Sequence, residues 1–143
     1  MADLTREEIL KNLVKNDSED INLTGVDLSG ADLNNFELYF VKFCRANLSG
    51  ANLTRANLTG ANLSGVDFSG AKLTKAILLE ANLIEANLTG ANLSGTQLIS
   101  ANLAGANLIE ADLSEANLTG ANLKGAFIFE TKLSGADLTD VTY

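Results

Sequence analysis

The amino-acid sequence predicts an all-β solenoid preceded by a short α-helix, and three observations carry that expectation. A five-residue unit repeats without slippage from Ile21 to Asp140, giving 24 full units before Val141, Thr142 and Tyr143 begin another. The third position is Leu in 21 units, with Phe43, Phe68 and Ile128 in the other three, and the first is Ala in 17. All 12 glycines occupy the fifth position, from Gly25 to Gly135. Internal repetition is read first because it dictates the architecture.

The helix comes first in the chain. Residues 5 to 15, TREEILKNLVK, carry a capping box in Thr5 and Glu8 and a hydrophobic staple in Leu4 and Ile9. Ile9, Leu10, Leu13 and Val14 fall on one face. A solenoid exposes core at each end and needs caps, so residues 1–20 are expected to form a capping helix and turn, with residues 21–143 as the repeat. The larger inward residues Ile21, Val26, Phe36, Val41 and Phe43 lie near that end, where a cap is matched.

A period of five suits neither simple element. On an α-helix, successive third-position leucines would circle the axis, and on a flat strand an odd period would alternate their faces. A coiling ribbon resolves this. Positions one, two and three point in, out and in along a short extended segment, and positions four and five turn a corner. Glycine at the fifth position fits a tight turn. The second position, Asn in 12 units and Asp in five, suits an outward side chain that bonds nearby backbone or stacks as a ladder.

Units such as ANLTG at 56–60 and ANLSG at 61–65, in unbroken A(N/D)LxG tandem, resemble the pentapeptide-repeat family, which is common in cyanobacteria. The resemblance covers residues 21 to 140. It implies a right-handed quadrilateral β-helix with four pentapeptides per coil, hence about six coils and a rod roughly 29 Å long at the usual inter-strand spacing. FELYF (36–40), VKFCR (41–45) and AFIFE (126–130) depart from the motif but keep its phase.

Composition removes most chemistry. His is absent and Cys44 is the only cysteine, which excludes a disulfide framework, the usual zinc ligand sets and histidine acid–base catalysis. Cys44 reads as a small space-filler. No cofactor or metal is expected, and no glycine pattern matches a phosphate loop. With 10 basic and 18 acidic residues the net charge is −8, which disfavours nucleic acid as a partner. No apolar run is long enough to span a membrane. MADLTREEIL lacks the basic start and apolar stretch of a signal peptide, so a cytoplasmic location is expected.

Candidate sites are therefore irregularities on outward positions. Residues 20 apart share a face when four units make a coil. Ile77, Leu79 and Ile99 then share one face, with Ile84 around the corner, as a solvent-facing apolar patch. Ile109, Phe127 and Phe129 form a second patch nearer the C-terminal end, flanking an inward Ile128. Glu110 and Glu130 stack on one corner beside Asp112 and Glu115, an acidic edge without the cleft a carboxylate pair needs for glycoside chemistry and without a calcium-loop arrangement. Tyr39 and Phe40 are expected to dock against the capping helix. Tyr143 is expected to fold its ring over the open C-terminal end.

The function expected is a non-enzymatic scaffold that displays these patches to an unidentified protein partner, with a homodimer through the C-terminal end. No membrane partner is expected. The family resemblance also implies an alternative, inhibition of a topoisomerase by an acidic rod that mimics DNA. Duplex DNA of the same length carries about 17 charges, against a net −8 here interrupted by Arg45, Arg55 and Lys75. The C-terminal dimerisation helix of those members has no counterpart in residues 21 to 143. A third reading, ice binding by the column Asn34, Thr54, Thr74, Ser94, Ser114 and Ser134, is weakened by Asp32, Lys72, Asp112 and Lys132 beside it.

Overall fold

Each pentapeptide carries its own turn, and through the body of the rod its N–H groups donate three bonds to neighbouring turns. The N–H of a first-position residue donates to the third-position carbonyl before it, as in Ala61 N–H to Leu58 O at 3.0 Å. The intervening fifth-position residue has positive φ in every unit, both at the 12 glycines and at 12 other residues. Between turns of the coil, third-position N–H groups donate to second-position carbonyls 19 residues on, as in Leu58 to Ile77 O at 2.7 Å. Fifth-position N–H groups donate to fourth-position carbonyls at the same spacing, as in Gly60 to Leu79 O at 2.8 Å.

Described here are residues 6–15 and 21–143 of a computed structural model. Every second-position residue from Asn22 to Asn122 forms a parallel bridge to the residue 20 positions later. Four units therefore complete one circuit, and the chain climbs as a four-sided parallel β-helix. An extended run of one to three residues per side explains why the pairing consists of single bridges rather than long strands.

The core lies along the axis. All third-position residues from Leu28 to Leu118, Phe43 and Phe68 included, are at most 1% exposed. Small first-position alanines let the four sides approach closely around them. Thr96 replaces one of these alanines while fully buried, and its hydroxyl donates to Leu93 O at 2.7 Å, so the substitution leaves no orphaned polar group.

Ahead of the repeat, α1 spans Arg6–Lys15. Glu7 and Glu8 in its first turn complement the helix dipole. Ile9 and Leu13, one turn apart, are buried in the same core cluster as the first repeats, with Leu10 half-buried beside them. Leu4 and Thr5, and with them the staple and the capping box, lie outside the described residues, as does the Val14 side chain.

Three expectations about position are corrected by the structure. Phe40 does not turn toward α1. Its ring leans the other way, over Gly60 on the next turn, where any Cβ would overlap it. Tyr39 meets Phe40 edge-on at 6.1 Å between ring centres. Ile128 keeps the inward phase but is 45% exposed, since among the described residues no turn lies over it. Leu133, Leu138 and Val141 are only half-buried for the same reason. Tyr143 is 69% exposed, so its ring does not close that end.

Candidate functional site

The outward surface is organised by the second position. In all 17 units with Asn or Asp there, the side-chain Oδ1 accepts the N–H of the fourth-position residue two places on, between 2.9 and 3.3 Å. This local turn, more than a ladder between coils, explains the residue choice. Amide donation to the preceding turn occurs at fewer places, such as Asn52 to Asp32 at 3.0 Å and Asn122 to Asn102 at 3.1 Å. Three Asp side chains, Asp32, Asp112 and Asp137, are held below the ordinary carboxylate range, first by the side chain and then by the N–H of the fourth-position residue. Lys132 on the next turn adds to the effect at Asp112.

Corner residues follow a pattern that the sequence contains but that five-residue reading misses. The stems of Arg45, Lys75, Glu85 and Glu115 lie over Gly65, Gly95, Gly105 and Gly135, each 20 residues later, with Cγ 3.3 to 3.4 Å from where a Cβ would stand. Reading the fifth position at a spacing of 20 reveals it, as large residue followed by Gly. Thr74, Lys75, Ser94, Gly95, Ser114 and Glu115 line a shallow open depression on the corner of Lys75 and Glu115. It has no enclosed wall and gathers no reactive constellation.

The first apolar patch is assembled but flatter than expected. Ile77 bridges to Gln97, and Leu79 and Ile99 occupy the same position on consecutive turns, with Ile84 on the next side. All four are half-buried rather than solvent-facing. Outward side chains on neighbouring turns stand only about 4.8 Å apart and cover one another.

The second patch stands out from the surface. Phe127 is 59% and Phe129 68% exposed, while Ile109 on the turn below is half-buried. Phe127 bridges to Asn107, and the N–H of Glu110 donates to Phe129 O at 3.0 Å, which places these residues on adjoining turns of one side. With Phe at position 127, the turn acceptor for the Phe129 N–H is lost. Glu110 and Glu130 occupy the bordering corner, both exposed, at φ of +59° and +57°. Asp112 and Glu115 lie on the side beyond that corner. Among the described residues no group of three or more His, Cys, Asp or Glu is placed to hold a metal ion. No helix among them is long and apolar enough to cross a membrane.

A family model described as pentapeptide repeats matches residues 21–60, 61–98 and 96–140. No curated protein matches the chain. Among solved structures, HetL from the cyanobacterium Nostoc sp. strain PCC 7120, a pentapeptide repeat protein involved in heterocyst differentiation regulation, is 25% identical with a TM-score of 0.62, over 98% of this chain and 95% of its own. QnrB1, a plasmid-mediated fluoroquinolone resistance protein, is 21% identical with a TM-score of 0.68, over 85% of this chain and 72% of its own, a likeness of fold. Rfr23 from the cyanobacterium Cyanothece 51142 is 29% identical with a TM-score of 0.46, over 94% and 99%.

Proposed function

The chain belongs to the pentapeptide-repeat family, and from that premise we propose that it is a non-enzymatic interaction scaffold. Its right-handed quadrilateral β-helix makes about six coils, with α1 as the cap of the first and residues 1–20 and 21–143 as the two parts. It displays side-chain patches to a protein partner in the cytoplasm. One observation carries this reading: the inward positions stay buried through the body of the rod even where Phe43, Phe68 or Thr96 departs from the motif, while the departures that alter the surface fall on outward positions. Selection on such a chain acts on display, since among the described residues the convex rod carries a shallow open depression and not a cleft that excludes water.

The candidate contact residues are Ile109, Phe127, Phe129 and Tyr143 toward the C-terminal end, Ile77, Leu79, Ile84 and Ile99 along the middle, and the acidic edge Glu110, Asp112, Glu115 and Glu130. Affinity capture from a source-cell lysate tests the assignment. Wild type is expected to retain a partner that Phe127→Ser with Phe129→Ser, or Ile77→Ser with Ile99→Ser, releases. Identical captured sets from all three would sink it.

The net charge of −8 favours a second reading, a DNA-mimicking topoisomerase inhibitor. The cationic corners Arg45, Arg55 and Lys75 interrupt the mimicry. Supercoiling that proceeds undisturbed at micromolar chain would remove this alternative.

A further inference from the structure

The side that carries Phe127 leaves the repeat in three columns at nearly one level. Its second position runs Asp, Asn, Asp, Asn, Asn from residue 27 to 107 and then becomes Phe127. Its fourth runs Ser, Ser, Ser, Thr from 29 to 89 and then becomes Ile109 and Phe129. Its corner is Gly from 30 to 90 and then becomes Glu110 and Glu130.

The changes at Phe127, Phe129, Glu110 and Glu130 are unfavourable for folding. Phe127 gives up the side-chain acceptor that Asn or Asp supplies elsewhere, and two aromatic rings are left in water. Glu110 and Glu130 adopt a left-handed backbone that the glycines below them hold without strain. The two carboxylates sit on consecutive turns, and neither forms an ion pair among the described residues. Exposed aromatic rings stand here beside two carboxylates that lack an ion pair, with nothing in the described chain covering them, and this combination marks a surface kept for contact.

Resting on the scaffold reading, we propose that this side docks a cationic protein segment in which Lys or Arg alternate with apolar side chains. Phe127, Phe129 and Ile109 take the apolar side chains and the aliphatic stems, and the ring faces attract guanidinium groups. Glu110 and Glu130 pair with the cationic ends, and the net −8 steers such a segment toward the rod. A second copy is a poorer complement. Its own stacked corner cations, Arg55 and Lys75, follow Thr54 and Thr74 and so lack an apolar neighbour at the fourth position.

The probe is a random displayed-peptide library selected on the full chain at low salt. Counter-selection uses a variant carrying Glu110→Gln, Glu130→Gln, Phe127→Ser and Phe129→Ser. Surviving peptides are expected to be rich in Lys or Arg with apolar residues between, and to lose about tenfold in affinity on Glu110→Gln with Glu130→Gln, with a further loss in high salt. Survivors that are acidic or neutral, no survivor that distinguishes the variant, or a dimer that Phe127→Ser and Phe129→Ser dissociate would each overturn the proposal. Glu110→Gly with Glu130→Gly supplies a second readout. This pair is expected to melt higher while losing the selected peptides, and a lower melting point would refute the claim that these corners are held at a cost. Lysate capture that depends on this side, together with selected peptides that are not basic, would leave the scaffold standing and remove only the partner's chemistry.

Discussion

Gly60 and Gly90 share one backbone conformation, with φ of +63° and +64°, but only Gly60 lies beneath a neighbour's ring. At Gly90 a Cβ meets nothing within 4 Å, so Gly90→Ala carries only the left-handed penalty, about 1–2 kcal/mol. Gly60→Ala must also displace the exposed Phe40 ring, which adds to that cost. In a Phe40→Ala background the cost of Gly60→Ala is expected to fall to that of Gly90→Ala. Thermal or denaturant unfolding of the four variants closes the cycle, and equal costs at Gly60 and Gly90 in the wild-type background would disprove the contact. The same penalty acts at the 12 corners that are not glycine, which shows that the repeat tolerates strain wherever a corner side chain is wanted.

Among the elements, the turn built on the second-position side chain is the recurring unit, and it links the fold to pH. Asp112 accepts the Ser114 N–H at 3.0 Å, and its folded-state pKa lies below the ordinary carboxylate value. A depressed folded pKa means that the stabilisation is fully present above the unfolded value, near 4, and is lost as pH falls through the folded value. Melting temperature is therefore expected to decline below about pH 4, with Asp32 and Asp137 contributing in the same direction. Asp112→Asn keeps the turn acceptor and removes one titrating group. A shallower acid decline in that variant is expected, and superimposable profiles would rule the turn out as a source of pH dependence. The other element, α1, is too short to be stable alone. It is held by Ile9 and Leu13, whose spacing of four places both on the face that meets the repeats.

At the scale of the whole molecule, the two ends differ. Ile9 and Leu13 from α1 are buried with the first repeats, whereas Ile128 and Tyr143 stand in solvent at the other end. Leu123 N–H donates to Thr142 O at 2.7 Å, while among the described residues the N–H groups of Ile128, Leu133 and Leu138 meet no carbonyl on a following turn. Unpaired edges beside apolar side chains favour association. Light scattering is expected to show a dimer that Ile128→Lys with Tyr143→Ser converts to monomer. A wild type that stays monomeric at high concentration would end the idea of joining through this face.

The sequence by itself determined the period, the phase and the identity of the core. Leu and Ala recur at fixed places because only a strict repeat keeps an axial core continuous, and 24 units leave no ambiguity about which positions face it. It also located the departures at Phe127, Phe129 and the acidic corner, since an outlier is visible against a regular background. Tertiary structure alone decided what those departures touch. Phe40 lies over Gly60, Ile77 and its neighbours shelter one another, and Ile128 is bared, because each outcome depends on the turn above or below. That turn is 20 residues away in the chain, a spacing that tells which residues stack but not how far their side chains lean over or cover one another.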